Sequence, residues 1–133
     1  MSQENVEIMR AAHDAFNRGD VDAAFQDFAP DFEIDMSRAI GINVNRDVYD
    51  LDQFRRLFDE FVGTWGSFRL GVDEFIDGGE HVVTPFTNRV SGRDGIELQA
   101  RGTWVWTIRD GAVVRACLYQ EFEEALEAAG LRE

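Results

Sequence analysis

The sequence predicts an α+β domain in which N-terminal helices pack against a curved antiparallel sheet. Three observations predict it. Apolar residues recur at helical spacing as far as Trp65; from Ser67 the period changes to two; and glycines then punctuate the chain at hairpin intervals. The 133 residues suit one domain, spanning 1–133, around one hydrophobic core.

The elements follow in order. Ser2 caps a first helix whose opening turn carries Glu4 and Glu7, as the helix dipole favours. Ile8, Ala12, Ala15 and Phe16 fall on one face of it, and Asn17, Arg18 and Gly19 end it. Asp20 caps a second, short helix with Val21, Ala24, Phe25 and Phe28 as its stripe, and Pro30 stops it. FEIDM (32–36) is a strand, and 37–49 is a long connection without period. Asp50 and Gln53 make a capping box for a third helix. Its inner stripe is Phe54, Leu57, Phe58, Phe61 and Trp65, and Gly63 and Gly66 mark its end.

The second half reads as four antiparallel strands joined by hairpins: FRLGVDEFI, HVVTPFTNRV, IELQARGTWVWTI and AVVRACLYQEF, separated by DGGE, SGRDG and RDG. Pro85 has no N–H for a ladder, so it belongs at a bulge or an edge. A last helix from about Glu121 to Ala129 buries Phe122, Leu126 and Ala129, with Gly130 as terminator. A long sheet curling around helices leaves a concave hollow, a common place for a small-molecule site.

Composition narrows the function. Lys and Arg number 13 against 26 Asp and Glu, a formal charge of −13, so nucleic acid and anionic membrane are poor partners. No apolar run approaches the ~20 residues that cross a bilayer. MSQENVEIMR carries no apolar signal core, and Cys117 is the only cysteine, so a reducing, cytoplasmic location is expected. His13 and His81 stand far apart with no metal-ligand spacing near either, and no GxSxG, P-loop, GxGxxG or EF-hand loop occurs. No metal or cofactor is therefore expected.

The stretch AFNRGDVDAAFQDFAPDFEID resembles the signature of the nuclear transport factor 2-like superfamily, and VWTIRDGAVVRACLY is similar to the late strands of its SnoaL-like branch, which includes polyketide cyclases. The resemblance spans about residues 4–130. It implies a cone-shaped (cystatin-like) α+β barrel, a pocket between curved sheet and helices, and commonly a homodimer through the sheet's outer face. It identifies the fold better than the activity, because this fold hosts isomerases, cyclases, dehydratases, epoxide hydrolases and plain binding modules. The three acid–base positions of the ketosteroid isomerases of this fold fall here on Ala12, Met36 and Trp104, which argues against steroid isomerisation by that mechanism. The Arg-x-Asp pair of limonene-type epoxide hydrolases is broken as well, since Arg101 is followed two residues later by Thr103.

The candidate residues are these. Asp35 is the candidate catalytic base, because the SnoaL-like branch often carries an Asp there followed by a hydrophobic residue and Ser. Strict alternation would instead send Asp35 and Glu33 to the face opposite Met36, unless a bulge turns Asp35 inward. Trp104 and Trp106 share the apolar side of their strand with Leu98, Gly102 and Ile108, as core or as the floor of a pocket for a flat ligand. Val82, Thr84, Phe86, Asn88 and Val90 share the inner side of theirs, and Asn88 must find a hydrogen bond there or lose stability. Gln120 shares a side with Leu118 and Ala116. The expected ligand-binding set is Phe16, Met36, Phe58, Phe86, Asn88, Trp104, Trp106, Leu118 and Gln120, for a hydrophobic, carbonyl-bearing small molecule. Two functions remain open: a cofactor-independent cyclase, isomerase or dehydratase with Asn88, Gln120 or an indole N–H orienting the carbonyl, or a non-catalytic ligand-binding or dimeric interaction module. His13 reads as a boundary residue of its helix, His81 as exposed, and Cys117 as a small buried or interface residue.

Overall fold

A computed structural model describes residues 2–37, 48–64, 67–92 and 95–131. The Ser2 side chain, most of the 37–49 connection, Trp65, Gly66 and Arg93 lie outside the described residues. The order is α1 (Ser2–Arg18), α2 (Val21–Ala24), β1 (Phe28–Asp35), β2 (Val48–Asp50), α3 (Leu51–Thr64), β3 (Ser67–Val72), β4 (Ile76–Gly78), β5 (His81–Ser91), β6 (Glu97–Arg109), β7 (Ala112–Tyr119) and α4 (Phe122–Ala128). The strands form one open sheet in the order β2-β1-β7-β6-β5-β3, with β4 beside β5.

Local chemistry explains the boundaries. The Asp20 carboxylate accepts from the Ala23 N–H at 3.2 Å and caps α2. Asp50 and Gln53 exchange two hydrogen bonds of 2.9 Å, a reciprocal capping box that starts α3. The β6–β7 hairpin turns on Asp110 and Gly111, both at positive φ (51° and 79°), as a tight two-residue turn requires.

Four expectations need correction. Helix α2 stops at Ala24, and Phe28 to Pro30 already belong to β1, whose pairing with β7 is irregular between Phe28 and Glu33. That irregularity lets a strand tolerate Pro30. The β1–β7 pairing is parallel, so the sheet is mixed. FRLGVDEFI is two strands, β3 and β4, and Pro85 faces the gap between them. There its carbonyl accepts from the Asp73 N–H at 2.8 Å, and no ladder donor is missed. On α4, Ala125 and Ala129 are the buried residues, while Phe122 is 37% exposed.

The core lies between the inner side of the sheet and α1–α3. Phe16, Phe25, Phe28, Phe32 and Phe58 interlock there, with Phe16 and Phe58 ring centroids 5.0 Å apart. Asn17 ties α1 to β3: its amide donates to the Leu70 carbonyl and accepts from the Leu70 N–H, at 3.0 and 2.7 Å. A smaller cluster of Val83, Val105, Ala125 and Ala129 sits on the outer side, under α4.

Candidate functional site

Cross-strand register decides which candidates meet. Thr84, Trp104 and Leu118 lie side by side on β5, β6 and β7, with Phe86 opposite Gly102 and Asn88 opposite Ala100. All face the helices, because side chains two apart on a strand share a face. Along β6 this inner side passes from sealed to open. Ile108 and Trp106 are buried, Trp104 is half-buried, and Leu98 is 53% exposed. Along β6 the inner side therefore opens from Trp104 onward.

Of the expected ligand-binding set, Phe16, Phe58, Trp106 and Leu118 are packed into the interior. All four are buried. The Trp106 indole N–H donates to the Thr84 hydroxyl at 2.9 Å, so it is not available to a ligand. Aromatic rings from α1, α3, β1 and the residue after α2 fill this end of the fold, and this long-range filling has no signature in strand periodicity.

Beside Trp104 the buried Phe86 ring (8% exposed) lies stacked on the indole, 25° from parallel with centroids 6.1 Å apart, and Trp104 adjoins Trp106 at 5.4 Å. Asn88 is half-buried on the same side, between Leu70 and Ala100. Among the described residues no hydrogen-bond partner engages its amide. Met36 is half-buried and packs against the main core. Gln120 follows the end of β7 and is half-buried.

Asp35 is on the other face. It pairs in register with Cys117 and Glu33 with Arg115, and Ile34 between them is fully buried on the inner side. Arg115 reaches Asp35 at 3.3 Å and Glu33 at 3.8 Å, while the Ser37 N–H donates to Asp35 at 2.9 Å. Strict alternation holds through the end of β1, and the cation opposite it on β7 keeps the carboxylate outside. Asp35 therefore faces away from the side of the sheet that carries Trp104. The missed partner was Arg115, which only the parallel β1–β7 pairing brings near.

That outer face carries a cleft of about 520 Å³ lined by Asp31, Glu33, Asp35, Arg115, Tyr119 and Thr107 among others. His81 closes part of it by a 3.1 Å hydrogen bond to Thr107. Arg109 pairs with Glu80 nearby and holds that carboxyl below its usual pKa. The cleft and the aromatic floor are separated by the thickness of the sheet.

His13 is buried, not a boundary residue. Its Nδ1–H donates to the Met9 carbonyl at 2.9 Å, and Phe16, Phe75 and Trp106 meet its ring edge-on within 5.7 Å. Burial holds its pKa below the ordinary value; the Met9 bond and Asp14 oppose this less strongly. Among the described residues no group of His, Cys, Asp and Glu is placed to hold a metal ion, and no helix is long and apolar enough to cross a membrane.

The model of the SnoaL-like domain family matches residues 9–116. The chain belongs to the SnoaL-like domain family. Solved structures agree on the fold of this SnoaL-like domain, which is that of the nuclear transport factor 2-like proteins. Bal32a, from a soil-derived mobile gene cassette, is 18% identical over 96% of both chains with a TM-score of 0.77. TerC, co-crystallised with polyporic acid, is 22% identical over 96% of this chain and 98% of its own, with a TM-score of 0.74. A ketosteroid isomerase-like protein from Catenulispora acidiphila DSM 44928, in complex with trimethylamine, is 15% identical over 94% and 93%, with a TM-score of 0.69. At these identities the likeness shows the fold. No curated protein sequence matches the chain.

Proposed function

We propose that this SnoaL-like domain binds a hydrophobic, carbonyl-bearing small molecule on the floor formed by Phe86 and Trp104, with the Asn88 amide as donor to the carbonyl. The observation that carries this reading is the change at Trp104. Two residues from a sealed, hydrogen-bonded indole, the same face presents a half-buried indole stacked on a phenyl ring. Flat apolar faces beside an unengaged amide suit a ligand that is mostly apolar with few polar atoms. The small molecules in the TerC and Catenulispora structures lend support at the level of the fold. Calorimetric titration with an aryl ketone tests it: saturable binding that Asn88→Ala weakens about tenfold, or ~1.4 kcal/mol, is expected. Binding indifferent to Asn88→Ala and Trp104→Ala would refute it.

The SnoaL-like family match supports a second reading, a cofactor-independent cyclase or isomerase. Deuterium exchange beside the carbonyl of a bound ketone, faster than in buffer, supports catalysis; exchange at the buffer rate leaves binding alone. The lone Cys117 fits a reducing, cytoplasmic setting. For the homodimer, the outer face offers complementary charges, acids on β1 and Arg89 and Arg101 farther across the sheet. Sedimentation in low and high salt tests that pairing.

A further inference from the structure

We propose that Gly102 sets the depth of the ligand hollow by letting the Phe86 ring lie flat against the sheet; the inference rests on the binding reading above. Side chains on a strand ordinarily stand away from the sheet. A standing phenyl ring at Phe86 would project into the space above Trp104. Instead the tip of that ring occupies the volume a side chain at position 102 would fill. A Cβ added to Gly102 would lie 2.8 Å from Phe86 Cζ, 3.1 Å from its Cε2 and 3.3 Å from Leu118 Cδ1. The same ring stacks on Trp104, so the parked position also shapes the floor.

Two features separate this arrangement from a glycine kept for its backbone. Gly102 is an interior residue of β6 without the left-handed φ that favours glycine, so alanine meets no backbone strain there. The atoms that block a Cβ also belong to the tips of side chains. At Gly71, by contrast, a Cβ would lie 2.6 Å from the Thr87 backbone oxygen, where nothing can give. A side chain at 102 is accommodated by raising Phe86 away from β6, toward the helix side of the sheet. Aromatic cover of a strand glycine is also a stabilising device. That role alone predicts no link between position 102 and ligand size.

The test combines a structure with a binding series. In a crystal structure of Gly102→Ala the Phe86 ring is expected to turn away from β6 into the hollow; a ring still flat on β6 overturns the proposal. Binding is followed with a neutral propionyl-naphthalene dye whose emission shifts in apolar surroundings. Gly102→Ala is expected to weaken the dye about tenfold and to leave the smaller ketone acetophenone within about twofold of its native affinity. Dye affinity unaltered by Gly102→Ala, or both ketones weakened equally, overturns the depth-setting role. Failure of the native protein to bind any aryl ketone counts against the binding reading instead, and the ring position in the crystal still decides the role of Gly102.

Discussion

The two faces of the sheet are built from the same strands and differ in almost every other respect. The inner side of β5, β6 and β7 is aromatic and aliphatic, with the buried Trp106–Thr84 hydrogen bond as its main polar contact and Asn88 near the opening. The outer side holds Arg115 between Glu33 and Asp35, the His81–Thr107 contact and the Arg109–Glu80 pair, with α4 covering one apolar patch. The charged pairs of the sheet thus lie on the face away from its stacked aromatic rings. A one-residue step in strand parity separates Met36, turned inward, from Asp35, turned out to its arginine.

The sealed inner end should be the most sensitive place in the molecule. Trp106→Ala removes a fully packed indole and should cost about 3–5 kcal/mol in denaturant unfolding. A loss below about 1 kcal/mol would mean that the hollow extends beneath Trp106. Gly71→Ala, forced against the Thr87 carbonyl, should cost about 1–3 kcal/mol, whereas Gly102→Ala should be near neutral. Thr84→Val keeps the shape but strands the Trp106 N–H, and about 1–3 kcal/mol of stability should go with it.

Acidity sharpens the contrast. Burial lowers the folded-state pKa of His13 from 6.5, so below that value the unfolded chain binds a proton that the folded chain resists. The stability His13 contributes is complete above pH 6.5 and declines as the pH falls toward its lowered value. Melting of the native protein and His13→Phe between neutral and mildly acidic pH should diverge, by at most about 1.4 kcal/mol per pH unit. Parallel curves would mean that the imidazole is hydrated. The smallest effect belongs to the outer face: Asp35→Asn should cost about 1 kcal/mol or less and leave aryl ketone affinity unaltered.

Much of this was legible in the sequence because it is local. The Asp50–Gln53 capping box, the Asp20 cap, the Asp110–Gly111 turn and the alternation through Trp104 and Trp106 each depend on residues a few positions apart. What was not legible depends on distant contact. The parallel β1–β7 pairing brings Arg115 to Asp35 across 80 positions. Phe75 and Trp106, also remote in sequence, close over His13. The use of Gly102 required knowing that Phe86 is its cross-strand partner, which register alone supplies.

Amide and indole N–H resonances, followed by NMR as an aryl ketone is added, distinguish a ligand on the aromatic floor from one in the outer cleft. The Trp104 indole and the Asn88 side-chain amide are expected to shift together while Arg115 and Tyr119 stay still. Shifts confined to Arg115, Tyr119 and their neighbours would place the ligand on the outer face and contradict the proposed binding site.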